Sequence, residues 1–422
     1  MNHFSAWLTV FCGVLAGITV PDEVAAEGGS IDYKVSYQVT LEPSAAVARV
    51  EFRIDQPRFL LREWRMQIDP ERFELLDSDG EIVMDGDQLT WIPNAAGGFV
   101  VWNIAIGHRR NGDGYDAWLG DNWGIFRAED VIPRASTRTL KGAVSDTELR
   151  FSLPRSWSVV TEYFDRDGTF HVDRPERRFD EPTGWIVAGK LGVRRDTIAG
   201  TRVAIAAPVG ETTRRLEALA LMRWTLPELA RALPGLPERL TIVSAGEPMW
   251  RGALSAPASL FIHAERPLIS ENATSPLLHE VVHVATGLRG EAGYDWIVEG
   301  LAEFYSLELL LRSDTISKRR HAAARRSQRE WSSATSTLCG DVSTGATTAL
   351  AVTLFAELDA EIRASSGGNA TLDNVLAAVV VADQPVNLNS LRKAVKDLTG
   401  RNSETLHTDK LPGCSNITRE ES

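Results

Sequence analysis

Residues Ser275 to Tyr305 read SPLLHEVVHVATGLRGEAGYDWIVEGLAEFY, and this stretch decides how the rest of the chain is read. Thr274 or Ser275 can cap a helix, and Pro276 suits its first turn because its missing N–H has no intrahelical acceptor there. The helix then carries His279-Glu280-Val281-Val282-His283 and is expected to end at Gly287 or Gly290. Residues four apart share a helix face, so the His279 and His283 imidazoles can point at one ion. Glu280 is offset by one position, which places it beside that ion, where a base acting on an activated water must sit. Asp295 is expected to cap a second helix that presents Glu299 one turn in, with Gly300 allowing a close helix approach. Two histidines and one carboxylate leave a fourth tetrahedral position open, the donor set of catalytic zinc, one ion per chain. Glu303, one turn beyond Glu299, is placed to accept the outer N–H of a ligand histidine. The competing reading is an amphipathic helix whose histidines and glutamates merely pair on its surface.

With these residues in order, the chain resembles a gluzincin metallopeptidase, the group that contains thermolysin, the aminopeptidase N family and the glycyl aminopeptidase family. Trp296-Ile297-Val298-Glu299-Gly300-Leu301-Ala302 matches the tryptophan-x-x-glutamate-glycine-x-alanine pattern that follows HExxH in the last two. Motif-level likeness covers roughly residues 250 to 310, and a looser one reaches Gly345 to Val379. The resemblance implies a β-domain, a thermolysin-like zincin catalytic domain and a helical C-terminal part. It also places Gly252-Ala253-Leu254-Ser255-Ala256 on the substrate-binding edge strand.

Two departures accompany it. Ser255 stands where aminopeptidases carry the glutamate that anchors a substrate's free amine, which argues against strict aminopeptidase activity. Val342 stands where relatives have an oxyanion-stabilising tyrosine, and no tyrosine follows Tyr305. Ser343, Thr344, Tyr294 and His263 are the alternative donors, each with a purely structural reading beside it.

The rest of the chain supplies context. At 422 residues it is expected to form two or three domains. Its 43% hydrophobic and 24% charged residues are ordinary for a globular protein. A net charge of −12 and no long basic face argue against nucleic-acid partners, and the peptide or protein substrate is what the metallopeptidase resemblance implies. From about 30 to 205 the pattern is strand-like. Ile31, Tyr33, Val35, Tyr37, Val39 and Leu41 alternate with polar neighbours, and Val50, Phe52 and Ile54 repeat the pattern. Asp79-Gly80, Asn111-Gly112 and Asp167-Gly168 mark turns, and Trp91, Trp102, Trp118 and Trp123 read as core or sheet-face residues. Helical periodicity begins at 212–232, short buried strands follow at Leu240–Val243 and Ala258–Ile262, and helices dominate beyond Ser275. Arg319, Arg320, Arg325 and Arg326 read as a solvated helix face. The expected class is therefore α+β multidomain. Its parts are a β-sandwich-like N-terminal domain over 27–205, a catalytic domain over 206–315 and a helical region over 316–422.

Residues 1–26 read as an export signal. An apolar run from Ala6 to Val20 precedes Val24-Ala25-Ala26, a plausible cleavage point, although no Lys or Arg precedes the run. The run is shorter than the about 20 residues of a membrane span. A periplasmic or secreted protein without a permanent span is expected, with an uncleaved anchor as the alternative. Cys339 and Cys414 are then a disulfide candidate in an oxidising compartment, against two separate buried thiols. The functional expectation is zinc-dependent hydrolysis of peptide bonds with Glu280 as base. Its competitors are a zinc-binding, catalytically impaired relative acting as a binding protein, and a purely structural envelope protein.

Overall fold

The computed structural model describes residues 31–110, 114–173, 179 and 181–414. The expected export signal and the Asn111-Gly112 turn lie outside the described residues.

The alternation near the N-terminus produces a two-layer β structure. A seven-stranded sheet runs in the spatial order Phe164–Arg166, Thr169–Val172, Ala143–Ser152, Ile31–Glu42, Val47–Asp55, Gly97–Ala105 and Phe73–Ser78. Tyr33, Val35, Tyr37, Val39 and Leu41 all turn to one face of Ile31–Glu42 and are buried, as a period of two requires. They share a core with a four-stranded sheet built from Ala135–Thr139, Leu61–Gln67, Gln88–Ile92 and Glu81–Asp85. Aromatic rings fill the space between the layers. Phe52 stacks on Trp64 at 4.6 Å, and Trp64 meets Trp91 and Trp102 at 6.4 and 6.2 Å.

A third sheet joins this sandwich to the rest of the chain. Its strand Trp185–Gly189 is buried at every residue. Ile186 and Ala188 face the sandwich core, while Trp185 and Val187 pack with Ala206, Val243 and Phe261 of the next sheet. That next sheet has the order Leu191–Ile198, Thr201–Pro208, Arg239–Ala245, Ser259–His263, Ala253–Ala256. The division expected at residue 205 therefore falls inside Thr201–Pro208, whose partner Arg239–Ala245 lies on the other side of it, Ile205 pairing with Ile242. Leu191–Ile198 and Thr201–Pro208 form an antiparallel hairpin, and in sequence such a hairpin is indistinguishable from the strands that precede it.

Helix α1 (Arg215–Ala232) is the crossover between the parallel strands Thr201–Pro208 and Arg239–Ala245. Helices α2 (Pro276–Thr286) and α3 (Asp295–Arg312) follow the sheet and share its core. Then come α4 (Lys318–Ser332), α5 (Ala346–Ser365), α6 (Leu372–Ala382) and α7 (Leu388–Thr399). Gly300 is what lets α3 meet α5, since a Cβ there would lie 2.5 Å from the Ala351 Cβ and 2.8 Å from the Phe355 ring. Cys339 and Cys414 form a disulfide that ties the chain end to the segment leading into α5. Among the described residues no helix is long and apolar enough to cross a membrane.

Candidate functional site

Helix α2 begins and ends as its residues dictate. The Ser275 side chain accepts a hydrogen bond from the Leu278 amide at 3.2 Å, Pro276 occupies the first turn, and Gly287 closes the helix in the left-handed region at φ 60°. Leu277, Leu278, Val281 and Val282 are buried against the core. His279, Glu280 and His283 occupy the remaining face, only partly buried.

Helix α3 starts differently from expectation. Tyr294 is the residue that precedes its first turn and makes no side-chain cap, and Asp295 is already helical. The Asp295 carboxylate instead accepts the Ser343 amide at 2.7 Å. A parallel bridge between Tyr294 and Gly340 lies beside this bond, so the start of α3 holds the 340–345 segment against the site. Burial raises the Asp295 pKa, opposed by this amide.

The two helices bring together the expected ligands. His279 Nε2 is 3.0 Å from His283 Nε2, 3.2 Å from one Glu299 oxygen, and His283 Nε2 is 3.3 Å from the other. The donor atoms of His279, His283 and Glu299 all lie within 4.8 Å of one another. Burial favours a neutral Glu299, but hydrogen bonds from both imidazoles outweigh it and hold the carboxyl at about 2. Burial likewise opposes charge on His279, yet the Glu299 and Glu303 carboxylates push it up to about 10 in the metal-free protein. Two imidazole nitrogens facing each other at 3.0 Å beside a carboxylate form a donor set that a divalent cation satisfies better than protons do. The residues fit zinc.

Glu303 takes the expected outer position, with Oε2 3.1 Å from His279 Nδ1. Sequence reasoning missed what lies behind it. Gln328, on α4 and 6% exposed, donates from Nε2 to Glu303 Oε1 at 3.3 Å. A carboxylate oxygen only accepts, so the orientation of the Gln328 amide is set by chemistry. No local spacing signals a residue brought in by another helix.

His279 and Glu299 open on a cleft of about 340 Å³. Glu280 lines it, together with Trp250, Arg266, Trp331, Ser343 and Thr344. Of the strand quoted above, Gly252 and Ala253 line the cleft, and Ala253–Ala256 is the sheet edge, paired among the described residues only with Ser259–His263. Ser255 is exposed on that edge and does not line the cleft, and Leu254 and Ala256 also lie away from it. Gly252 leaves room for the Trp250 indole, since a Cβ there would lie 1.7 Å from that ring and displace it. The N-terminal part touches the cleft residue Trp250, since Arg110 lies 4.7 Å from its ring centre and Trp250 donates its amide to the Tyr115 carbonyl at 2.8 Å.

The four alternative oxyanion donors separate. Tyr294 and His263 are buried and lie off the cleft, and burial lowers the His263 pKa. Ser343 lines the cleft with its hydroxyl 3.2 Å from the Thr348 hydroxyl. Thr344 lines it and is exposed. Val342 is 73% exposed and carries no donor in its side chain.

No protein-family model matches the sequence, and no curated protein matches it. Solved structures do. An aminopeptidase N family protein from Idiomarina loihiensis has a TM-score of 0.61 at 14% identity, with 92% of this chain and 75% of that one covered. An M1 zinc metallopeptidase from Deinococcus radiodurans gives 0.57 at 14% identity, covering 91% and 94% of the two chains. The chain has the M1 metallopeptidase fold. Within the M1 fold the His279, His283 and Glu299 cluster sits on α2 and α3, beside the edge of the sheet that precedes them. A larger cavity of about 690 Å³, lined by Thr161, Phe164, Arg202 and Arg239, lies apart from that cluster.

Proposed function

We propose that this protein is an exported zinc-dependent peptidase, with His279, His283 and Glu299 holding one ion and Glu280 acting as the general base. The observation that carries the reading is the convergence of three donor side chains within 4.8 Å, two of which, His279 and Glu299, line a cleft that Glu280 also lines. When bound, zinc supplies Lewis acidity to the scissile carbonyl and to the attacking water. Glu280 takes the proton of that water and passes it to the leaving amine. Glu303, supported by Gln328, fixes the His279 ring and its tautomer. The sheet edge at Ala253–Ala256 is open for an extended peptide to lie along. Thr344 and Ser343 are the donors available for the oxyanion, since losing such a donor typically costs about 100- to 1000-fold in rate.

The chemistry needs a peptide or protein as partner and no nucleic acid, in keeping with the net charge of −12. The Cys339–Cys414 disulfide supports an oxidising compartment. A second reading, a zinc-binding relative that works by binding and not by hydrolysis, is favoured by Ser255 and Val342, which stand where relatives carry the amine-anchoring glutamate and the tyrosine, while the presence of Glu280 speaks against it. Chelation followed by zinc addition separates the two. Peptide hydrolysis that disappears with chelator and returns with zinc supports the peptidase. A protein that reloads one zinc and still cleaves nothing supports the binding relative.

A further inference from the structure

The electrostatics of the cleft point to a substrate class, on the footing that the cleft binds peptides. Its lining holds three carboxylates, Glu280, Glu299 and Glu303, and a single Lys or Arg among the described residues, Arg266. Glu299 is committed to the two histidines and Glu303 to His279 and Gln328. Arg266 is committed to no acid. Its Nε donates to the Arg251 carbonyl at 2.7 Å, which fixes the start of the guanidinium group. The nearby carboxylates are taken by the neighbouring arginine: Arg251 pairs with Glu247 at 2.7 Å and Glu265 at 3.2 Å. Arg266 thus presents its terminal nitrogens without an ion-pair partner among the described residues. The edge strand beside it, Ala253-Leu254-Ser255-Ala256, has no charged side chain, so nothing on that strand anchors an ammonium group.

We propose that Arg266 is the receptor for a substrate carboxylate, and that the cleft selects peptides carrying an acidic group near the scissile bond. A guanidinium held by its Nε keeps the two parallel terminal donors that match a carboxylate in a bidentate pair. A cation facing solvent acts through a screened field, so the preference weakens with added salt. The carboxylate comes either from an Asp or Glu side chain or from the peptide's own C-terminus, and both present the same two oxygens.

The test uses the full zinc-loaded protein and a set of otherwise identical peptides. These carry Glu, Gln or Lys at each position flanking the cleavage site, each made with a free and an amidated C-terminus. The expected result is a kcat/KM ratio of acidic to neutral peptide of about ten, the effect of one good charge-assisted pair. That ratio falls towards one in Arg266→Ala, is partly kept in Arg266→Lys and turns in favour of Lys peptides in Arg266→Glu. Peptide affinity for the Glu280→Gln protein, read from tryptophan fluorescence because Trp250 and Trp331 line the cleft, follows the same order. A rate that falls on amidation whatever the flanking residue assigns the carboxylate to the C-terminus, and a preference for Glu over Gln that persists in the amidated peptides assigns it to a side chain. Cleavage by the wild type that depends neither on the flanking residue nor on amidation, or a preference that survives Arg266→Ala, overturns the assignment and leaves the peptidase reading standing. No cleavage of any peptide by zinc-loaded protein overturns the peptidase reading, and this one with it.

Discussion

His279 Nδ1 lies 3.1 Å from Glu303 Oε2, and the other oxygen of that carboxylate accepts a hydrogen bond from Gln328. The chain of contacts ties the proposed ion ligand on α2 to a glutamate on α3 and an amide on α4. Partners of this kind fix the tautomer and raise the basicity of a ligand histidine, and losing one typically costs about 10- to 100-fold in metal affinity.

Glu303→Ala is therefore expected to weaken zinc binding by about 10- to 100-fold. Gln328→Met, which keeps the volume and removes the donor, is expected to weaken it less, because Glu303 stays in reach of His279. A competition titration against a chromophoric chelator reads both. Equal wild-type affinity in Glu303→Ala removes that residue from the support of the site.

The same contacts give zinc binding a pH dependence of definite sign. In the metal-free protein His279 is pushed up to about 10, so around neutral pH the ring carries a proton that must leave before Nε2 can bind an ion. Raising pH removes that competitor. Apparent zinc affinity is expected to climb by about tenfold per pH unit between pH 6 and 9. A flat profile over that interval contradicts the protonated, carboxylate-paired state of His279.

Gly300 sets the distance between α3 and α5, and its position admits no side chain without moving Ala351 or Phe355. Gly300→Val is expected to destabilise the fold by about 1–3 kcal/mol through overpacking. It is also expected to lower zinc retention, because Glu299 is the adjacent residue. Urea unfolding and metal analysis of the folded fraction check the two parts separately. Unchanged stability shows that the helices part at little cost.

Cys339 and Cys414 close a loop of 75 residues in sequence. Replacing both with serine is expected to cost about 2–4 kcal/mol of unfolding free energy. Oxidised wild type with and without reductant provides the comparison, and identical urea midpoints leave the bridge without a stabilising role.

The cluster proposed to hold the ion could be singled out in the sequence because its geometry is local. His279 and His283 are four apart on one helix whose cap, Ser275, and stop, Gly287, are both written in the chain. Glu299 lies on the next helix, and Glu303 one turn beyond it. The alternation from Tyr33 to Leu41 likewise announced the buried face of the first strand. What was not legible depends on contacts between segments distant in sequence. Gln328 reaches Glu303 from α4 with no periodic mark to single it out. Asp295 has the composition of a cap but spends its carboxylate on the Ser343 amide, a partner 48 residues away. Trp185 to Gly189 carries the join between the sandwich and the following sheet, and a strand buried on both faces shows no alternation to reveal which core each residue serves.

The most direct test of the central claim is cleavage of a diverse unstructured peptide mixture by zinc-loaded protein, read by mass spectrometry beside Glu280→Gln at matched zinc content. The account predicts cleavage by the wild type and none by the variant, with zinc bound equally in both. Equal cleavage by the two proteins, or loss of zinc from the variant, contradicts the role given to Glu280.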